Sequence, residues 1–309
     1  MQYTHVGRSG LVVSTLGLGC NNFGMRLDQS GTDAVVAAAL EAGITLFDTA
    51  DIYGQGRSEE MLGRALGTRR QDVVIATKFG IRKGLPVPAG GARSHVIRAC
   101  EASLRRLGME YIDLYYLHMP DAGTPIAETL DALDTLITQG KVRYGASSNL
   151  AAWQMADAHH TALARGRQPF VACQVEWSLL QRAVEHEVVP AARHFGLGVI
   201  PYFPLASGLL TGKYRAGVAP AQDSRLGALP AFAGVLTEQN LERVERLARI
   251  AEAHGHTLLE LAMSWLAQRP EVSSVLFGAT RPEQVQANVR ASAWTLPAEV
   301  LAAVDQAAP

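Results

Sequence analysis

Residues 46–53 read Leu46-Phe47-Asp48-Thr49-Ala50-Asp51-Ile52-Tyr53. An apolar pair runs straight into a carboxylate, and a short loop then delivers a phenol five positions on. Asp48 falls where a buried strand leaves its sheet, and Tyr53 falls on the loop that follows. Acids at strand ends and tyrosines in loops are common, so the pair gains meaning only from what the rest of the chain sets beside it.

Outward from this stretch a strand-then-helix unit recurs. Short apolar runs of strand character lie at 15–18, 46–48, 73–77, 112–117, 142–147, 171–174, 198–202 and 274–277. Between them, helical spacing predicts 31–42, 58–66, 94–107, 125–138, 151–165, 184–195, 238–253, 257–268 and 282–290. The clearest is 94–107: Ser94 can cap its start, Ile97, Cys100, Leu104 and Leu107 recur at threes and fours, and Gly108 can take a left-handed stop. Runs such as Leu114-Tyr115-Tyr116-Leu117 are apolar on both faces, as in a parallel sheet covered by helices. Eight such units imply an α/β fold, a (β/α)8 barrel, expected to be one domain over 1–309. Residues 3–6 and 11–13, joined by Gly7-Arg8-Ser9-Gly10, predict a β-hairpin ahead of it. The rival, an open sheet with a glycine-rich dinucleotide turn, fails its test: after the first strand Gly17 and Gly19 form a GxG, but Asn22 takes the third glycine's place and no helix pattern begins until Gly31.

The chain has 309 residues, 48% hydrophobic and 18% charged, which suits a globular enzyme with a large core. A net charge of −1 with scattered signs argues against nucleic-acid and membrane partners. Cys20, Cys100 and Cys173 are far apart and form no Cys/His cluster at metal-ligand spacing, so no metal and a reduced, cytoplasmic compartment are expected. No targeting pattern opens the chain, and no apolar run reaches the length of a membrane span.

In a barrel, ligands gather where strands end. The strands here end on Asp48, Lys78, His118, Ser148 with Asn149, Gln174 and Tyr202, each about one βα unit after the last. The first three, with Tyr53, suggest acid catalysis by a phenol. Tyrosine, with an ordinary pKa of about 10, is a poor proton donor and acceptor near neutrality. An ammonium beside it, Lys78, is expected to draw that value down, with Asp48 keeping the lysine charged and His118 orienting a carbonyl oxygen.

These residues carry a family resemblance. The segments GRSGLVVSTLGLG (7–19), FDTADIYG (47–54), ATKFG (76–80), SLRRLGMEYIDLYYLH (103–118), GKVRYGASSN (140–149), QVEWSLL (174–180), VIPYFPLASGLLTGKY (199–214) and GATRPEQVQANV (278–289) together resemble the aldo-keto reductases, nicotinamide-dependent barrels. The resemblance implies that Tyr53 is the general acid, tuned by Lys78 and Asp48, while His118 orients an aldehyde or ketone, a small-molecule carbonyl substrate. It implies that Ser148, Asn149 and Gln174 hold the nicotinamide carboxamide and that Tyr202 stacks on its ring. Leu205, Ser207, Leu209 and Lys213 match the loop over the pyrophosphate, and Arg225 a basic contact found in part of the family. Gly278, Thr280, Arg281, Gln284 and Asn288 match the adenosine end. Arg281 beside the ribose points to NADPH over NADH. Two other readings are implied by relatives of the same fold: a cofactor-binding regulatory subunit like the potassium-channel β subunits, and a specialised keto-sugar or natural-product reductase. For the latter, Phe23, Met25, Trp177 and the 216–233 loop are candidate pocket walls. Departures from the family pattern are Ser147, Trp177, Phe203 and Leu276-Phe277-Gly278.

Overall fold

The computed structural model describes residues 1–81, 90–214 and 234–308. A two-stranded antiparallel hairpin, β1 (Tyr3–His5) and β2 (Val12–Ser14), precedes β3 (Leu16–Gly19). Helix α1 (Gln29–Glu41) is capped by Asp28, whose Oδ1 accepts the Gly31 N–H at 2.9 Å. There follow β4 (Leu46–Asp48), α2 (Arg57–Leu66), β5 (Val74–Phe79), α3 (Arg93–Leu107), β6 (Ile112–Leu117), α4 (Ile126–Thr138), β7 (Val142–Ser148), α5 (Ala152–Ala164), β8 (Ala172–Glu176), α6 (Val188–Phe195) and β9 (Gly198–Tyr202). Two helices, α7 (Glu238–Ala253) and α8 (Leu258–Ala267), then precede β10 (Val275–Gly278), and α9 (Pro282–Ala291) and α10 (Ala298–Ala307) end the described chain.

The eight strands expected from apolar runs all form, in one parallel sheet of order β10-β3-β4-β5-β6-β7-β8-β9. Its ends meet just before β10: Val199 donates to the Glu271 carbonyl and accepts from Ser273, both at 2.9 Å, so the sheet is a nearly closed barrel. Helices wrap its outside, burying a large apolar layer between strands and helices. Inside, Leu46, Ala76, Leu114, Tyr116, Ala146, Ala172, Ile200 and Leu276 pack with Val6 and Val13 of the hairpin segment. The hairpin therefore plugs the end of the barrel where the strands begin. Gly7, at φ +57°, lies so close to the Gly196 carbonyl that a Cβ there would come within 2.4 Å.

Several helix boundaries differ from the spacing. Ser94 does not cap α3: Ala92 holds that position, and the Arg93 N–H is satisfied instead by Glu128 Oε1 of α4 at 2.9 Å. Gly108 does end α3 in the left-handed conformation, φ +65°. Helix α6 starts at Val188, not at 184, after a separate 3₁₀ turn at Ala183–Glu185. Pro190 explains this, because a proline is tolerated only in a helix's first turn. Helix α10 had no expectation.

Gly63 sets the distance between α2 and α3. A Cβ at this position would sit 2.1 Å from the Leu107 carbonyl oxygen, a backbone atom that cannot turn aside. Gly63→Ala, although it favours helix, is expected to lower unfolding free energy by about 1–3 kcal/mol, read from the urea midpoint. An unchanged midpoint would contradict the close approach.

Candidate active site

Side chains alternate along a strand, so residues two apart share a face. Counting two positions on from the barrel's inner apolar layer, Leu46 leads to Asp48, Ala76 to Lys78, Tyr116 to His118 and Ala146 to Ser148. By the same step Ala172 leads to Gln174, Ile200 to Tyr202 and Leu276 to Gly278. All of these except Lys78 line a single cavity of about 780 Å³ at the C-terminal mouth, and Lys78 lies beneath it, fully buried. A polar layer thus rests directly on the apolar one.

Lys78 Nζ donates to Asp48 Oδ1 and, at 2.8 Å, to the Thr49 carbonyl. The second oxygen of Asp48 accepts from Gln174 Nε2 at 2.8 Å, across the barrel. Burial disfavours the ammonium, but Asp48 and Tyr53 outweigh it and hold the Lys78 pKa above its ordinary value. Tyr53 begins a 3₁₀ turn after β4, and Lys78 Nζ lies 5.0 Å from its ring centroid. The Tyr53 pKa is raised, against the expectation that Lys78 would draw it down. Burial dominates, and the lysine only partly offsets it. His118 stands edge-on to Tyr53, ring centroids 5.9 Å apart. Burial, then Lys78, push the His118 pKa down to about 3, so the ring is neutral, and its buried Nδ1 has no partner among the described residues. A neutral phenol above a buried ammonium, beside a neutral imidazole, can hand a proton to an oxygen placed against both rings.

A chain of hydrogen bonds fixes the neighbouring wall. Asn149, at φ +62°, donates to Ser148 Oγ at 2.9 Å and to the His118 carbonyl at 3.1 Å, and its Oδ1 accepts the Tyr202 hydroxyl at 2.8 Å. Ser148 Oγ donates to the Gln174 carbonyl at 3.0 Å. Farther along, Leu205, Ser207 and Lys213 line the cavity, as do Gly278, Thr280, Arg281, Gln284 and Asn288. The Thr280 N–H donates to Gln284 Oε1 at 2.7 Å. Leu209 does not line the cavity but is fully buried in the core, and Arg225 and the 216–233 loop lie outside the described residues. Of the other expected pocket walls, Phe23 is buried in the core. Met25 is exposed and off the cavity lining. Trp177 is buried edge-on to Trp265 of α8, its Nε1 donating to Glu185 at 3.0 Å. The cavity also takes in Asn21, Asn22, Arg26, Met119 and Leu259, which sequence reasoning left out. Asn22 is the residue that broke the glycine pattern, and that interruption was the one available signal.

The residues suit a dinucleotide: one cavity is lined by the phenol and imidazole and also by two basic side chains, Lys213 and Arg281. Beside Arg281 α9 presents its N-terminus, a favourable place for anions. Gly278 is exposed at the end of β10, leaving its backbone approachable.

Comparison with known proteins follows the same lines. The sequence pattern of the "Aldo/keto reductase family" matches residues 15–309. A "Probable voltage-gated potassium channel subunit beta" of Arabidopsis thaliana is 40% identical over 300 residues, covering 94% of this chain and 91% of that protein. "Probable aldo-keto reductase 1" of Glycine max is 36% identical, with 100% and 89% covered. The "L-glyceraldehyde 3-phosphate reductase" of Escherichia coli (strain K12) is 35% identical, with 99% and 92% covered. No helix among the described residues is long and apolar enough to cross a membrane.

Asp51 is a further titratable group in the loop between Asp48 and Tyr53. One of its carboxylate oxygens is buried without a partner, and its N–H donates to the Lys78 carbonyl at 3.3 Å. Burial, then the Glu59 carboxylate, push its pKa up to about 7, with Arg106 and Lys78 opposing. An unfolded aspartate loses its proton near pH 4 while the folded one keeps it to about 7. Stability therefore falls as pH rises through that window, by about 4 kcal/mol at most, and levels above it. Asp51→Asn removes the buried charge and should raise Tm over the parent protein more at pH 8 than at pH 5. Equal gains at both would show that Asp51 is not protonated in the fold.

Proposed function

The chain belongs to the aldo/keto reductase family, and from that premise we propose that it is an NADPH-dependent oxidoreductase reducing aldehyde or ketone carbonyls to alcohols. The observation that carries the reading is the buried Lys78–Asp48 pair beneath Tyr53, with His118 edge-on beside it.

A bound NADPH supplies the hydride. The protein's own residues do the rest. His118 and Tyr53 hold the carbonyl oxygen between them, and Tyr53 gives its phenolic proton to that oxygen as negative charge develops there. A raised pKa keeps Tyr53 protonated until that moment. Lys78 then stabilises the phenolate left behind, Asp48 keeps the lysine charged, and solvent returns the proton. Because His118 stays neutral down to about pH 3, it acts as a hydrogen-bonding group and not as the acid.

Ser148, Asn149 and Gln174 would hold the nicotinamide carboxamide, in the positions their mutual hydrogen bonds give them, with Tyr202 against the ring. Leu205, Ser207 and Lys213 would serve the pyrophosphate. Gly278, Thr280, Gln284 and Asn288 would hold the adenosine, with Arg281 at a ribose 2′-phosphate. The reductase names among the relatives support this reading. A second reading, a cofactor-binding regulatory subunit, is supported by the relatives named as potassium-channel subunits.

Consumption of NADPH with an aromatic aldehyde, followed at 340 nm, should fall at least about a hundredfold in Tyr53→Phe. Undiminished turnover in that variant would remove Tyr53 from its role. A parent protein that retains nucleotide, turns over no carbonyl and holds a stable protein partner would favour the regulatory reading. In Arg281→Ala, the affinity ratio for NADPH over NADH should drop about tenfold or more, as for a lost hydrogen bond to a charged group. A ratio left intact would place the 2′-phosphate, and with it the NADPH preference, elsewhere.

A further inference from the structure

Behind Tyr53 the buried charges do not pair off evenly. Asp48 holds Lys78, whose ammonium also donates to the Thr49 carbonyl at 2.8 Å. On the opposite face of β5, fully buried Glu59 of α2 accepts the Thr77 hydroxyl on one oxygen and Arg106 Nε of α3 on the other, both at 2.6 Å. Arg106 donates in turn to Ser103 Oγ at 3.2 Å, and a Cβ on Gly56 would come within 2.7 Å of Arg106 Cδ, so the guanidinium stem is wedged in place. Each cation is thus engaged by a carboxylate other than Asp51.

Asp51 lies three residues past Asp48 and two before Tyr53. Its loop is strapped to β5 by the Thr49 N–H to the Ala76 carbonyl at 2.9 Å and the Asp51 N–H to the Lys78 carbonyl at 3.3 Å, and the Tyr53 N–H closes on the Ala50 carbonyl at 3.1 Å. The groups that face its side chain are Glu59 from α2, Arg106 from α3, Lys78 from β5 and the phenol of Tyr115 from β6. One Asp51 oxygen and the Tyr115 hydroxyl are both buried without a hydrogen-bond partner among the described residues. Protonated, Asp51 is a neutral neighbour of Glu59. Ionised, it is a second carboxylate beside Glu59, where burial leaves little water to screen the pair.

We propose that Asp51 is a positioning residue for Tyr53: its protonated form seats the 49–53 loop on β5, and loss of that proton unseats the loop and slows proton delivery. The proposal rests on the reductase reading above for what Tyr53 does. The 3.3 Å bond to the Lys78 carbonyl is the longest of the three ties and gives way first, moving the phenol from its place above Lys78 and beside His118. Because Asp51 keeps its proton to about pH 7, the productive seat is present below that pH and lost above it.

The test is the single-turnover rate at which NADPH bound to the full-length protein is oxidised by saturating benzaldehyde, followed from pH 6 to pH 9, a readout that excludes cofactor release. Over this range neither Tyr53, raised above its ordinary value, nor His118, at about 3, changes charge. In the parent the rate falls about tenfold or more with a midpoint near pH 7, as expected of a small displacement of a reacting group. In Asp51→Asn the rate at pH 9 stays within about twofold of its own rate at pH 6, whereas a merely structural role would lower the rate alike at every pH. A parent rate that does not fall, or a fall retained in Asp51→Asn, overturns the proposal. A parent protein that turns over no aldehyde sinks the function proposed above, and hydrogen exchange then decides the role of Asp51. Protection of the 48–56 peptide, corrected for the intrinsic rate, drops from pH 6 to pH 9 in the parent and holds in Asp51→Asn if Asp51 seats the loop. Equal protection at both pH values, or a drop shared by the variant, overturns it. Should Asp51→Asn fail to fold, exchange in the parent alone decides: a drop confined to 48–56 supports the proposal, and no drop or one spread over the chain overturns it.

Discussion

An ammonium buried without any contact to solvent is the constraint on which the rest depends. Lys78 is fully enclosed, and at such depth a lone charge would cost several kcal/mol. Asp48 meets that cost, and geometry makes it the natural partner: it ends β4, the strand beside β5, and pairs in register with Ala76, two residues before Lys78. The other oxygen of Asp48 takes Gln174 from β8, on the far side of the barrel. One carboxylate therefore neutralises the lysine and ties opposite walls together. Tyr53 sits above this floor, pulled in two directions. Burial holds its proton on and the ammonium beneath favours its release, the balance required of a group that must give up a proton only as charge appears on its neighbour.

The same period of two that builds the barrel core builds the site. Leu46, Ala76, Tyr116, Ala146, Ala172, Ile200 and Leu276 of the apolar layer are each followed, two residues later, by a polar or small one at the mouth or, for Lys78, just beneath it, so a single change of residue type converts packing into chemistry. The hairpin fixes which end does this. With Val6 and Val13 packed on the apolar layer at the end where strands begin, the cavity lined by Asp48, Tyr53 and His118 lies at the opposite end. Fold and site are thus two layers of one pattern.

That layering explains why so much was legible in the sequence. Six of the eight strand ends could be read as an apolar run stopping at a polar residue, and every residue so marked stands at the cavity or, for Lys78, directly beneath it. What could not be read depends on contacts between distant parts of the chain. Ser94 looked like a cap, but Glu128 of α4 supplies the acceptor from outside the helix. The direction of the Tyr53 shift turns on burial, which no local pattern displays. Trp177 could face the mouth or a helix until Trp265 and Glu185 claim it. Asn22 and Arg26 lie in a turn without periodicity, and their place at the cavity comes from ties to Ala279 and to the Tyr53 segment.

Backbone strain marks the same mouth independently of side-chain chemistry. Among the described residues, the non-glycine positions in left-handed conformation are Gln55, Asn149, Phe203, Ala206 and Ser207. Each costs about 1–3 kcal/mol and persists only where surroundings over-determine it. All five follow strand ends on the cavity side: one after Tyr53, one at the amide cluster, three in the turn leading to Lys213. The surroundings that hold them are visible. Asn149 is bound through the Gln174 and His118 carbonyls, Ser148 and the Tyr202 hydroxyl. The 203–208 turn is closed by the Ala206 N–H to the Phe203 carbonyl at 2.9 Å and the Gly208 N–H to the Leu205 carbonyl at 2.8 Å. Glycine would relieve this strain at little cost in packing at exposed Gln55, yet a side chain stands at every one of these five positions. A fold whose stable regions avoid such conformations has concentrated them where Asn149 must present its amide and where the 203–208 turn must bend over the cavity. Placement of those groups, and not economy of folding, accounts for the shape of this rim.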